Sequence, residues 1–179
     1  MSTSHAPSAQ TPLEAYLGAI DALLRQVIQH GGFELSFAIR KVASPLADVE
    51  SPEYVVDFSG TDADLLLERN AALLNDLEYL VLKAVRMEED YFGKITFDCQ
   101  DWRRLRVEEL KLTAQVAADR VLETGDPFTL NPMSPRERRI IHLALRDQPQ
   151  VRTVSEGVGS ERKVVILPTS SPPRRGARR

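Results

Sequence analysis

A short basic segment in the second half of the chain combines side chains that can bind phosphate. Within the run SPRERRIIHLALR, Arg138, His142 and Arg146 are spaced four residues apart, which places them on one ridge of an α-helix. An arginine can donate two hydrogen bonds to phosphate oxygens, and a neutral histidine can still donate one. The spacing therefore predicts an array of donors suited to a nucleic-acid backbone.

Nearby cations enlarge this candidate site. Four more basic side chains are expected to flank the ridge, two from the same helix and two from a predicted hairpin: Arg136, Arg139, Arg162 and Lys163. A structural interpretation stays open beside this one. Arg138 would then pair with Glu137 or Asp147, and His142 would be a half-buried histidine whose hydrogen bonds are satisfied inside the fold.

The helix that carries the ridge has a clear predicted start. Ser134 is a favourable N-cap, Pro135 suits the first helical position, and Glu137 completes a capping box. Ile141, Ala144 and Leu145 form an adjacent apolar stripe that should face a core.

The elements around this helix indicate a small mixed domain. A long amphipathic helix is predicted over residues 101–123, and Gly125 and Pro127 follow it. Three short strands complete the second half, over residues 128–130, 151–155 and 163–167.

The first half has a different pattern, with the order α-β-β-α-α-β. A helix from Pro12 to Gly31-Gly32 precedes strands over residues 33–42 and 54–58, with Pro45 and Ser51-Pro52 between them. Two helices, over residues 62–67 and 71–87, and a strand over residues 94–98 follow.

The charge of the chain is divided between these halves. The 179 residues carry 23 Lys+Arg and 26 Asp+Glu, a net charge of −3, which by itself argues against a nucleic-acid ligand. Residues 1–100, however, hold 7 basic and 16 acidic side chains (net −9), and residues 101–179 hold 16 and 10 (net +6). The split predicts an acidic module joined to a basic one, although chance segregation on two solvated surfaces is the alternative.

Several classes of protein are disfavoured. The apolar runs are far shorter than the roughly 18–20 residues of a membrane span, and the N-terminus lacks the features of a secretory signal. Cys99 is the only cysteine, and no Cys/His cluster has metal-ligand spacing. Glu137, His142 and Asp147 share a neighbourhood without a catalytic motif. We therefore expect a cytoplasmic protein without cofactor or metal that is not an enzyme.

Longer segments of the second half resemble a known domain. DWRRLRVEEL, ETGDPFTLNPMSPRERRIIHLAL, VRTVSEG and RKVVIL are similar to the R-3-H domain, whose Arg-x-x-x-His signature falls on Arg138 and His142. The stretch NPMSPRERRIIHLAL resembles the bacterial Jag family (the KhpB/EloR type) in particular. The resemblance implies single-stranded nucleic-acid binding by residues 99–167.

The Jag resemblance extends to the first half. GTDADLLLERNAALLNDLEYLV is similar to the corresponding run of the K-homology (KH) domain that precedes the R-3-H domain in this family. It implies an α+β protein with a prokaryotic-type KH domain over residues 12–98, a small α/β R-3-H domain, and tails over residues 1–11 and 168–179. The separate N-terminal Jag domain of many relatives is expected to be missing.

One departure from the family concerns mechanism. In KH domains a G-x-x-G loop lets the nucleic-acid backbone approach closely, because glycine has no side chain in the way. This loop reads Glu68-Arg69-Asn70-Ala71, so both glycines are missing and a carboxylate replaces one. Arg69 could compensate in part. The sequence predicts a KH domain weakened as an RNA clamp, which serves as a scaffold or a protein-binding surface.

The resemblance implies a function and partners. Single-stranded RNA is the expected ligand, with single-stranded DNA left open, and a small KH-only protein is the expected partner. The role would be that of a post-transcriptional regulator or RNA chaperone linked to cell elongation and envelope growth. The alternative is a protein-interaction adaptor whose KH-like half docks a partner, with RNA binding secondary.

Overall fold

A computed structural model describes residues 12–42 and 52–169. The chain divides into two compact units between Trp102 and Arg103, and each unit is described here by itself. The predicted N-terminal tail, the loop around Pro45 and the tail from residue 170 onward lie outside the described residues.

The first unit contains a three-stranded sheet and two long helical segments. Its elements are α1 (Pro12–Gly31), β1 (Leu35–Lys41), β2 (Tyr54–Gly60), α2 (Ala63–Ala84), a 3-10 turn (Glu89–Tyr91) and β3 (Ile95–Cys99). The sheet order is β1-β2-β3, with β1 antiparallel and β3 parallel to the central strand. The first strand starts two residues later than its pattern predicts, because Phe33 closes the turn after α1 by donating to the Ile28 carbonyl at 3.2 Å.

Large apolar side chains from the sheet and the helices form the core of this unit. Ile20 and Leu24 of α1 and Leu74 of α2 are fully buried with Phe58 and Phe97 of the sheet. The two phenylalanine rings lie 5.4 Å apart between centroids in a tilted arrangement, a favourable geometry for aromatic pairs.

The second helical segment of this unit is interrupted where the sequence predicts two helices. Residues 68–71 have non-helical backbone angles inside α2, so the observed order is the α-β-β-α-α-β expected of a KH-like domain. Gly60, which ends β2, has φ of +132°, and a Cβ there would lie 2.2 Å from the Glu34 carbonyl oxygen. Only glycine fits this position, which brings the chain into α2.

The second unit is a smaller α+β assembly. It contains α3 (Trp102–Thr124, which begins at the last residue of the first unit), β4 (Phe128–Thr129), α4 (Pro135–Ala144), β5 (Val151–Glu156), a 3-10 turn (Gly159–Glu161) and β6 (Lys163–Pro168). The strands form an antiparallel sheet of order β4-β6-β5.

The core of the second unit lies between its sheet and its helices. Ile141 of α4, Val121 of α3, and Val164 and Ile166 of β6 are fully buried, and Leu145 is nearly so. The predicted inward face of α4 is confirmed for Ile141 and Leu145, while Ala144 is half-buried, and the α+β class holds for both units. Across the described ranges, no helix is long and apolar enough to cross a bilayer.

Candidate nucleic-acid interface

The start of α4 is fixed by the predicted capping box. Ser134 has the extended backbone of an N-cap (φ −60°, ψ 158°), and its Oγ accepts from the Glu137 amide at 3.3 Å. The Ser134 amide donates in turn to Glu137 Oε2 at 2.9 Å. These reciprocal bonds satisfy amides that a helix start leaves without partners, and so hold the first turn in place.

A buried ion pair ties this cap to α3. Glu137 is only 6% exposed, and its Oε1 accepts from Arg106 Nε at 2.8 Å and lies 2.7 Å from Nη2. Burial alone would lower the pKa of Arg106, but the carboxylates of Glu109 and Glu137 outweigh it and raise that pKa above its ordinary value. Glu137 is therefore committed to joining the two helices.

His142 makes its hydrogen bonds inside the unit. Its Nδ1 lies 2.6 Å from Thr153 Oγ1, and its Nε2 lies 2.9 Å from Ser155 Oγ. The two hydroxyls share one face of β5 because they are two residues apart. Burial, and to a lesser extent the charge of Arg138, lower the pKa of His142. This half-buried, neutral histidine fits the structural interpretation of its position.

Arg138 and His142 both form hydrogen bonds with Ser155. The Nη1 of Arg138 donates to Ser155 Oγ at 3.2 Å, so the hydroxyl of Ser155 is within reach of both signature residues. Among the described residues, no acceptor meets the buried Nε of Arg138. A buried donor without an acceptor is costly, so the fold holds this guanidinium in place at some cost in stability.

Two further arginines of this segment are exposed, and one of them lies beyond the helix. Arg139 is exposed on α4. The prediction that Arg146 continues the helical ridge is wrong, because α4 ends at Ala144 and Arg146 lies in the turn that follows. Pro149 shortly downstream limits how far this helix could continue. Arg146 is exposed, and its Nε lies 3.4 Å from the carboxylate of Asp147, which is also exposed.

The β5–β6 hairpin brings its own cations towards the start of α4. The Arg162 carbonyl accepts from the Met133 amide at 3.1 Å, one residue before the N-cap, and the Arg162 side chain is exposed. Lys163 is half-buried opposite Glu156 in the strand register. Arg136, in the first turn of α4, is also half-buried, and burial lowers its pKa to about 10, so it stays a cation at neutral pH.

Arg69 belongs to the first unit, whereas the other predicted cations belong to the second. It is exposed and has a left-handed backbone (φ 50°, ψ 46°), as do Asn70 and Ala71. A left-handed residue other than glycine costs roughly 1–2 kcal/mol. The loop over residues 68–71 thus has, at its last three positions, the left-handed backbone that glycine tolerates best, although it contains no glycine. Glu68 lies at its first position.

Sequence reasoning missed the hydroxyl partners on β5 and the ion pair behind the cap. The alternation of Thr153 and Ser155 in a predicted strand was a usable signal, because it puts both hydroxyls on one face. Arg106 gave no such signal, since its contact with Glu137 joins residues 31 positions apart.

Comparisons with known proteins show which domain and which relatives the chain resembles. The R-3-H domain family matches residues 108–168, which include α4 and the hairpin. RNA-binding protein KhpB of Clostridium symbiosum is 34% identical over 114 residues, which cover 64% of this chain and 51% of the relative. KhpB of Bacillus subtilis is 36% identical over 110 residues, or 60% of this chain and 53% of the relative.

A shorter match has a similar level of identity. KhpB of Streptococcus pneumoniae (strain D39) is 39% identical over 72 residues, which cover 40% of this chain and 22% of the relative. The chain thus spans about half the length of the first two relatives and less of the third. The resemblance to the Jag family is confirmed: the chain carries an R-3-H domain in its second half and is similar to these KhpB proteins over 60–64% of its length.

Proposed function

We propose that this chain binds single-stranded RNA, mainly through its second unit. The relatives it matches are named RNA-binding proteins, and the R-3-H match covers the unit that contains the cationic surface. The observation that carries the proposal is the exposed set of arginines around a firmly capped α4, while the nearby carboxylate of Glu137 is buried and paired.

The basic side chains of this surface form two groups, one exposed and one half-buried. Arg139, Arg146 and Arg162 are exposed and take phosphate groups directly. Arg138 is half-buried and its Nη1 donates to Ser155, so it adds positive potential from a fixed position. Arg136 and Lys163 add positive potential from half-buried positions.

His142 acts in this proposal as a positioning residue. Its two ring nitrogens are held by Thr153 and Ser155, and Ser155 also receives Arg138. The histidine therefore fixes the hydroxyl that orients the arginine, instead of donating to phosphate itself. This assignment changes the role expected of His142 while keeping it in the site.

Such a surface binds RNA with little sequence preference. Contacts to phosphate position a strand but do not read its bases. The Arg69 loop of the first unit contributes little, because Glu68 repels phosphate and the glycines that allow close approach are missing. The first unit serves as a scaffold or docks a KH-only protein, and the whole chain acts in post-transcriptional control linked to envelope growth.

Salt dependence of RNA binding tests the proposal. For single strands, log K falls with log salt by about 0.7 per phosphate contact. Replacing Arg139 and Arg146 together by Gln should therefore lower the slope by about 1.4 and weaken binding of a uniform single-stranded RNA. Both side chains are exposed, so the fold should tolerate the change.

A matched control uses exposed arginines of the first unit. Arg25 and Arg40 lie on α1 and β1, each paired with a nearby aspartate, and their replacement by Gln should leave the slope unchanged. A salt-independent affinity, or equal losses in the two variants, would contradict the proposal and favour the adaptor function, in which the first unit docks a protein partner.

A further inference from the structure

The outer face of α3 is apolar although it lies in solvent. Leu105, Leu112 and Val116 are 51%, 66% and 60% exposed. Successive helical residues are rotated by about 100°, so these three side chains fall within about 40° of one another and span about 17 Å of the helix. We define them as the α3 outer face.

This face is not the one that the fold of the second unit uses. The buried apolar residues of α3 are on the opposite side of the helix: Leu110, Ala114, Ala117, Ala118 and Val121. A helix that is apolar on two opposite faces is normally covered on both. Exposed apolar side chains that share one face of a helix are a feature of interaction surfaces.

The rim of the α3 outer face is acidic. Within about 60° of its centre the helix carries four acidic side chains and one basic one: Glu108, Glu109, Asp119, Arg120 and Glu123. Glu108 and Glu109 are paired with Arg104 and Arg106 at 3.2 and 2.8 Å. Towards the C-terminal end, Asp119 accepts from the Gln115 amide at 2.9 Å, a neutral donor that leaves its charge in place, and Glu123 is exposed.

The cation of this rim is directed elsewhere. The guanidinium of Arg120 lies over the ring of Phe128 at 5.3 Å, a cation–π contact. The C-terminal half of the outer face is therefore an apolar strip with negative charge beside it, within the half of the chain that is basic overall. A phosphate backbone is repelled from such a surface, and a second copy would bring the same acidic rim.

We propose that the α3 outer face docks a basic amphipathic helix of a partner protein. Apolar side chains of that helix cover Leu105, Leu112 and Val116, and its Lys or Arg side chains meet Asp119 and Glu123. The surface shares no residue with the arginines around α4, so the second unit binds RNA and a protein at the same time. This inference does not depend on the proposed RNA binding.

A designed peptide provides the probe. Fluorescence anisotropy of a labelled helical peptide, with leucines on one face and lysines on both flanks, would be measured against the full chain without RNA. The Leu112→Ser/Val116→Ser variant should bind the peptide at least about tenfold more weakly. Leu122→Ser is the matched control, because Leu122 is 43% exposed but lies about 100° away from the face.

A charge-reversal variant and a sedimentation measurement show whether a basic helix or a second copy of the chain binds the α3 outer face. Asp119→Lys/Glu123→Lys should also weaken the peptide about tenfold, and the two uncharged variants, Leu112→Ser/Val116→Ser and Leu122→Ser, should keep the RNA affinity of the parent chain. Equal peptide binding by the parent and the Leu112→Ser/Val116→Ser variant would overturn the proposal. So would sedimentation of the chain alone as a dimer that this variant dissociates, since the occupant would then be a second copy.

Discussion

The loop over residues 68–71 and the start of α4 are two places where this chain could meet a phosphate backbone. At the loop, an arginine is exposed beside an exposed glutamate, on three left-handed residues that lack glycine. At α4, the glutamate is buried against Arg106 and bonded to the cap, while arginines remain outside. Both sites combine a glutamate with arginine, and one difference between them is the burial of that carboxylate.

The comparison teaches how a chain of net charge −3 can present a cationic surface. A carboxylate that is buried and paired no longer repels phosphate at long range, and it stabilises the element that carries the cations. An exposed carboxylate at the entrance of a loop does the opposite. The net charge of a chain is therefore a weaker guide to its ligand than the burial and pairing of its individual carboxylates.

The largest expected effect comes from removing the buried carboxylate at α4. Glu137→Ala leaves Arg106 partly buried without this partner and removes the capping box, so the second unit should lose about 3 kcal/mol of unfolding free energy. Urea unfolding followed by circular dichroism measures the loss. Glu109→Ala removes only the exposed partner of Arg106 and should cost less than about 1 kcal/mol. Equal losses would show that Glu137 is not the structural anchor.

A smaller effect is expected at the shared hydroxyl of β5. Ser155→Ala removes the partner of His142 Nε2 and of Arg138 Nη1, which should cost about 1–2 kcal/mol of stability. It should also weaken RNA binding, because Arg138 loses its orientation. Ser155→Thr keeps the hydroxyl and should restore most of the affinity. An RNA affinity unchanged in Ser155→Ala would contradict the positioning role.

Substitutions in the loop over residues 68–71 are expected to raise RNA affinity, whereas the preceding ones lower stability or affinity. Glu68→Gly/Ala71→Gly removes the carboxylate and restores glycine at both ends of the loop, so RNA affinity should rise about threefold, or roughly 0.6 kcal/mol. Arg69→Ala in that background should cancel the gain. If the double-glycine variant binds RNA no better than the parent, then the missing glycines do not explain the weak loop.

The smallest effect concerns pH. The folded state lowers the pKa of His142 below its ordinary value of 6.5, so the unfolded chain binds more protons near and below that pH. The stabilisation is present above pH 6.5 and is lost as the pH falls through the folded pKa. His142→Gln, which does not titrate, should flatten the stability profile between about pH 7 and 5. A decline as steep as that of the parent would exclude His142 as the cause.

Much of this account could be predicted from sequence because the signals are local. The capping box of Ser134 and Glu137 needs residues only three apart, and the inward face of α4 follows from helical spacing. The two helices on either side of residues 68–71 were separable because the loop lies between two apolar patterns.

The rest depends on contacts between distant segments. The helix pattern did not show where α4 ends, so Arg146 was assigned to a ridge that stops at Ala144. His142 was assigned to phosphate because its partners, Thr153 and Ser155, come from a strand that only tertiary packing brings near. The bounds of the two predicted domains, residues 12–98 and 99–167, stay predictions.

Crosslinking of RNA to the full chain tests the central claim most directly. A uniform single-stranded RNA would be crosslinked by ultraviolet light, and the modified peptides mapped by mass spectrometry. We expect the crosslinks to fall between residues 103 and 169, around α4 and the β5–β6 hairpin, with few or none at residues 68–71. Crosslinks of comparable yield at the Arg69 loop would contradict the division of function between the two units.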